Sequence, residues 1–296
     1  MSAALVLALV LTASNDPYNR SRVDPFSQDS HCLWWDQKEL VFHANEGGNP
    51  DTRGETEYEA LRRSIASWNS AAQACGHLTM REGARTAEKK IGVETAGGTD
   101  RNLVVYRQTS CSDVVPASDA CWADETCMNL YDCWLGSRAT IGLTTTTFET
   151  RTGRIFDADI ELNAAWFVFT TVDSPPCVSP NFNQGCVATD VENTLTHELG
   201  HALGLDHTTF PGSTMNPTAP GGETAKRNLD TGSKRFVCET YPVNSPPRDC
   251  VIISAAPPNE LGGEAGCFSG GSLAVLGMGL GAVLAGRRRR HWSAER

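Results

Sequence analysis

Residues 197–207 read His-Glu-Leu-Gly-His-Ala-Leu-Gly-Leu-Asp-His, and no other stretch restricts the fold so tightly. His197 and His201 are four apart, so on a helix their rings project one turn apart from one face. Val191, Leu195, Leu199 and Ala202 line the opposite, apolar face. Thr189-Asp190-Val191-Glu192 reads as a capping box, which predicts a helix starting near residue 190. His207 lies six residues beyond His201, and a continuing helix would carry it away. Gly204 permits a left-handed turn, so the chain can double back and deliver His207 to the other two.

Two imidazoles one turn apart, joined by a third, are a donor set for one metal ion. Zinc takes such nitrogen ligands tetrahedrally, and three of them leave a fourth position for water. Glu198 need not ligate. Its carboxylate can lean over the open position, accept a proton from the water and pass it to a departing amine. Of the remaining histidines, His31, His43, His77 and His291 show no ligand spacing, and surface or hydrogen-bonded core roles suit them better.

The cysteines set the compartment. There are 11 in 296 residues, with no paired CxxC pattern, which suits an exported protein with disulfides. Ten lie between Cys32 and Cys250 and can form five bridges, leaving Cys267 apart. A Cys177–Cys186 bridge would tie down the approach to the active-site helix, although spacing alone leaves the pairing open. Residues 3–11 (AALVLALVL) followed by Thr12-Ala13-Ser14 read as a signal peptide over 1–14, though no Lys or Arg precedes the run. The net charge of −10 argues against a nucleic-acid partner held through phosphates.

Between the ends, residues 30–242 are expected to form one domain, followed by a Pro/Gly-rich spacer over 243–266 and a terminal segment over 267–296. Segment 40–45 reads as a strand. Leu61, Ile65, Trp68 and Ala72 recur at helical spacing behind a capping box at Thr56–Glu59, predicting a helix over 57–74. Short strands are expected around 78–81, 90–94 and 102–107, then a cysteine-dense loop over 111–133. A hairpin is expected over 139–162, turning at Thr152-Gly153. In its return strand Asp157, Asp159 and Glu161 share one face. Three carboxylates are the donor type calcium takes, but such a row is more often a solvated strand face. The element order gives an α+β fold: a twisted mixed sheet packed by an N-terminal helix and the metal-binding helix.

At this point the chain resembles a family. The long His motif resembles that of the metzincin metallopeptidases, which carry a Met-turn beyond the third histidine, and Ser213-Thr214-Met215-Asn216-Pro217 stands there. The resemblance implies that Met215 lies beneath the zinc ligands without bonding the metal. Within metzincins the chain looks most like matrixins. Segment 153–163 (GRIFDADIELN) resembles the strand before their active-site helix, and 236–242 (FVCETYP) the end of their last helix. The likeness implies a metzincin-like catalytic domain, one catalytic Zn2+, and hydrolysis of protein or peptide substrates. Residues 215–235 should build part of the pocket beside the site. No counterpart of a structural zinc site is evident, and no PRCGxPD-type switch, so latency through an N-terminal cysteine is not expected. Any Ca2+ would rest on the carboxylate row alone.

The last 30 residues resemble a MYXO-CTERM-type sorting tail: Cys267, an apolar run over 272–286, then Arg287–Arg290. That likeness implies a signal peptidase, a sorting peptidase and attachment to a membrane or bacterial cell surface. The reading from a different class is a surface-displayed adhesion module on a metzincin scaffold, supported by this tail and the cysteine-rich insert over 108–135.

Overall fold

The computed structural model describes residues 16–93, 97–250 and 285–294. The expected signal peptide, most of the spacer, Cys267 and most of the apolar run lie outside the described residues. In chain order the first elements are β1 (Asn19–Arg20), β2 (Trp34–Trp35), β3 (Glu39–Ala44), α1 (Thr56–Cys75), β4 (Thr79–Glu82) and β5 (Asn102–Tyr106). The cysteine-rich insert holds two short helices, α2 (Cys111–Val114) and α3 (Cys127–Tyr131). A long hairpin of β6 (Thr140–Glu149) and β7 (Arg154–Leu162) follows. Then come β8 (Phe169–Thr170), β9 (Thr189–Asp190), α4 (Val191–Ala202), β10 (Leu205–Asp206), β11 (Thr218–Ala219), α5 (Thr231–Thr240) and β12 (Ala285–Ala294).

The main sheet runs β4-β3-β5-β7-β6-β12-β11, with β2 also pairing β7. It is mixed. Strands β4, β3, β5 and β7 are parallel neighbours, whereas β6 is antiparallel to both β7 and β12. Helices α1 and α4 pack beneath it, as the α+β reading requires. Trp35, Phe42, Leu61, Trp68, Leu195 and Phe236 are each 1% exposed or less in one continuous core. Full burial of a large apolar side chain contributes about 1.5–3 kcal/mol, so these positions fix the layer that α4 rests on.

Ten cysteines form five bridges: Cys32–Cys250, Cys75–Cys238, Cys111–Cys133, Cys121–Cys127 and Cys177–Cys186. The first two staple residues near the start of the fold to its end. The next two organise the insert, and the last closes the loop before α4.

Three local expectations need correction. Residues 90–93 are not a strand. Their backbone is claimed by side chains: Asn129 pairs with both the N–H and C=O of Ile91, and Asp159 accepts from Gly92 N–H. The capping box of α1 does not form. Glu55 is the N-cap and no side chain caps it, while the Thr56 hydroxyl donates to Arg53 O instead. The carboxylate row of β7 is not solvated. Asp157, Asp159 and Glu161 are each 2% exposed or less. Arg107, itself buried, donates to Glu161 at 2.8 Å and to Asp132 of the insert at 2.8 Å. Leu103 N–H donates to Asp159 at 2.8 Å. The insert and the 86–93 loop thus cover the polar face of β7, and protein donors meet two of its carboxylates, Asp159 and Glu161. Burial pushes the Asp159 carboxyl up to about 7, against the pull of its two backbone hydrogen bonds.

Candidate metal centre

Helix α4 begins at Asp190, whose carboxylate accepts from Asn193 N–H at 2.7 Å. Arg227 holds the same carboxylate through two guanidinium nitrogens. The start near 190 is therefore as expected, with Asp190 and not Thr189 as the cap. At the far end, buried aromatic donors meet carbonyls of the helix and its exit. Trp68 Nε1 donates to Thr196 O at 2.9 Å, Trp35 Nε1 to Ala202 O at 2.7 Å, and Tyr241 OH to Leu203 O at 2.7 Å. The bonds to Ala202 and Leu203 satisfy carbonyls that would otherwise be buried alone, while Thr196 O, in mid-helix, takes Trp68 as a second donor.

Gly204 has φ +104°, and a Cβ there would lie 2.6 Å from Leu33 O. Both facts restrict the position to glycine. Beyond it β10 pairs antiparallel with β1, and Asn19 Nδ2 donates to His207 O at 2.8 Å. His207 is thereby carried back over α4. Its Nε2 lies 3.3 Å from Nε2 of His197 and 3.0 Å from Nε2 of His201.

The rear nitrogens of two rings face carbonyls: His197 Nδ1 and Thr214 O at 2.6 Å, His201 Nδ1 and Leu205 O at 2.9 Å. A carbonyl only accepts, so each Nδ1 carries the proton, and in the neutral ring Nε2 presents its lone pair forward. Burial first, then the neighbouring His207, holds the His197 imidazole neutral. Ligands about 2.0–2.1 Å from a tetrahedral zinc stand about 3.3 Å from each other. The converging Nε2 atoms match that spacing, so the donor set fits the ion.

Glu198 is fully buried beside the triad. Its Oε2 accepts from the Thr144 hydroxyl at 2.5 Å, while Oε1 has no protein partner. Burial pushes its carboxyl up to about 8, with the Thr144 bond opposing. Beneath the helix, Met215 is fully buried, and its Sδ would lie 2.4 Å from a Cβ on Gly200. Asp230, the N-cap of α5, accepts from Thr214 N–H at 2.8 Å and from the Ser213 and Ser233 hydroxyls. Burial alone would raise the Asp230 carboxyl, but those bonds hold it below the usual range. Asp230 fixes the Met-turn, whose Thr214 carbonyl orients His197.

A cavity of about 570 Å³ is lined by Ile141, Val168, Phe182, Thr194, Ala219 and Glu223 among others, with the first turn of α4 forming part of its wall. Segment 215–235 contributes to it, and so does the Cys177–Cys186 loop.

The structure brings His197, His201 and His207 to one point, with Glu198 on the same helix and Met215 packed against Gly200. Among the other described histidines, His43 and His77 hydrogen-bond backbone carbonyls and His31 pairs with Asp249. Sequence reasoning missed Gly142, Thr144, Gly200 and Asp230. A Cβ on Gly142 would lie 2.5 Å from Glu198 Oε1. A lone glycine inside a strand is itself a signal of close approach. Gly200 sits between the two helical histidines and leaves room for Met215 in the same way.

No curated protein matches the chain. Residues 113–241 match the family model described as Matrixin, a zinc-dependent peptidase family. Over that stretch, together with the fold and triad described above, the chain is similar to matrixin-like metzincins.

Proposed function

We propose that the protein is an exported zinc-dependent endopeptidase. One observation carries the reading: His207 Nε2 lies 3.3 and 3.0 Å from the Nε2 atoms of His197 and His201, while Glu198, next to His197 on α4, keeps one buried carboxylate oxygen without a protein partner. His197, His201 and His207 would hold Zn2+. When bound there, zinc polarises a carbonyl and makes water more acidic. Glu198 takes the proton of the attacking water on Oε1 and returns it to the departing nitrogen, with Thr144 holding Oε2 in place. A raised pKa suits a group that must both accept and give a proton near neutral pH. Substrate adds as a strand along β6, so main-chain hydrogen bonds position the scissile bond. The cavity beside Ile141 and Thr194 receives a large apolar side chain.

The apolar run over 3–11 and the five bridges support export. The tail over 267–296 supports attachment to a membrane or cell surface, with a signal peptidase and a sorting peptidase as processing partners. No helix among the described residues is long and apolar enough to cross a membrane.

Glu198→Gln tests the assignment. The variant should keep one zinc per chain by elemental analysis and lose at least about 100-fold in turnover of a quenched casein substrate. Parental turnover in that variant would overturn the role of Glu198. Zinc without turnover in the parent would favour an adhesion module with a silent site.

A further inference from the structure

Strand β6 is paired on one side with β7, which leaves one edge to receive a substrate strand. That edge is occupied. β12 runs antiparallel along it from Ala285 opposite Glu149 to Ser293 opposite Thr140. At its end it also runs parallel to β11, with Ser293 opposite Thr218 and Ala294 opposite Ala219. The strand therefore lies in the groove between β6 and β11. The register places Trp292 opposite Gly142, the residue whose missing Cβ makes room for the Glu198 carboxylate. The ladder is irregular between Trp292 and Ser293, beside that point.

We propose that residues 285–294 are a built-in competitive occupant of the cleft before the tail is sorted, so that the full chain is closed to substrate until this strand is withdrawn to the membrane or cut away. The inference rests on the endopeptidase reading for its consequence, but not for the docking itself. Main-chain pairing needs no particular side chain, so an arginine-rich segment can serve. Charge favours the contact. Residues 287–296 hold five arginines against one glutamate, +4, which leaves −14 on the rest of the chain. Tethering favours it further. The 34 residues between Cys250 and Ala285 reach about 100 Å when extended, ample to span the domain. A tether of that length supplies an effective concentration up to about the millimolar range. A weak strand pairing then suffices to keep the groove filled, and an untethered substrate competes poorly.

The test uses the full chain. Successive residues of a strand point their N–H groups to alternate sides, so two adjacent prolines must remove one bond to β6. The double variant Arg288→Pro/Arg289→Pro is compared with the parent, first by hydrogen exchange in a Glu198→Gln background that cannot trim its own tail. Amides of Thr140–Thr147 on the β12 side should exchange at least about tenfold faster in the proline variant, with α4 unchanged. Equal exchange overturns the docking. In the zinc-loaded chain with Glu198 intact, the same prolines should raise kcat/KM on a quenched peptide severalfold. Altered exchange with equal, measurable turnover overturns the inhibition. Altered exchange with no turnover in either chain keeps the docking and removes the endopeptidase reading instead.

Discussion

Two buried polar rows lie on neighbouring elements of this protein, and they are treated in opposite ways. On β7, protein donors answer two of the three carboxylates: Arg107 meets Glu161, and Gly92 and Leu103 meet Asp159. On α4, the protein secures only the backs of two rings, through Thr214 and Leu205. Their front nitrogens face one another and His207, and Glu198 Oε1 faces no protein donor. Buried polar groups are costly unless partnered. A row the protein satisfies by itself is architecture, whereas a row left open toward a shared point is built for something supplied from outside. Burial is the same in both, so burial cannot separate them; whether the polar atoms turn toward separate protein donors or toward one shared point does.

The contrast can be broken from either side. The largest effect is expected at His201→Ala. Removing one of three ligands should cut zinc affinity by more than about 100-fold, since even outer partners of a ligand are worth 10–100-fold. The check is zinc retained after chelator dialysis, with thermal unfolding under saturating EDTA changing far less. Arg107→Ala should do the reverse. It leaves Glu161 buried without its cation, a loss of about 3–5 kcal/mol, read from urea unfolding, while zinc content of the folded fraction stays at one. Asp230→Ala sits between the two regimes. It removes a helix cap, about 1–2 kcal/mol, and loosens the Thr214 carbonyl behind His197, so zinc should bind about tenfold more weakly. The smallest effect sharpens the β7 side. Between pH 4 and 7 the folded chain keeps a proton on Asp159 that the unfolded chain, with an ordinary aspartate, has released. The unfolded state then binds fewer protons, so stability falls as pH rises through that window and levels off above it. Asp159→Asn cannot titrate. The urea midpoint of the parent should therefore drop more between pH 5 and 7.5 than that of the variant.

Much of the metal centre was legible because its information is local. Spacing of four fixed His197 and His201 on one turn, and Gly204 marked where the helix ends. The apolar positions of α1 were legible for the same reason. What escaped depends on partners distant in the chain. The polar face of β7 alternates like a solvated strand, and nothing within 154–162 says that an insert some 30 residues earlier covers it. The segment near 91 has strand-like residues, yet Asn129 and Asp159 consume its backbone groups. Thr144 and Asp230 carry no motif; they matter only because the fold sets them beside Glu198 and Thr214. The pairing of β12 with β6 is of this kind as well, since no local pattern in 285–294 names its neighbour.

The Cys32–Cys250 bridge spans 218 positions and encloses nearly the whole packed body in one covalent ring. Any scission inside that ring, at a surface loop for instance, yields two pieces that still travel as a single species until a reductant is added. Scission past Cys250 liberates its product at once. Gels run with and without thiol would therefore sort internal nicking from loss of the C-terminal segment, and only the second sheds the strand lying across the cleft.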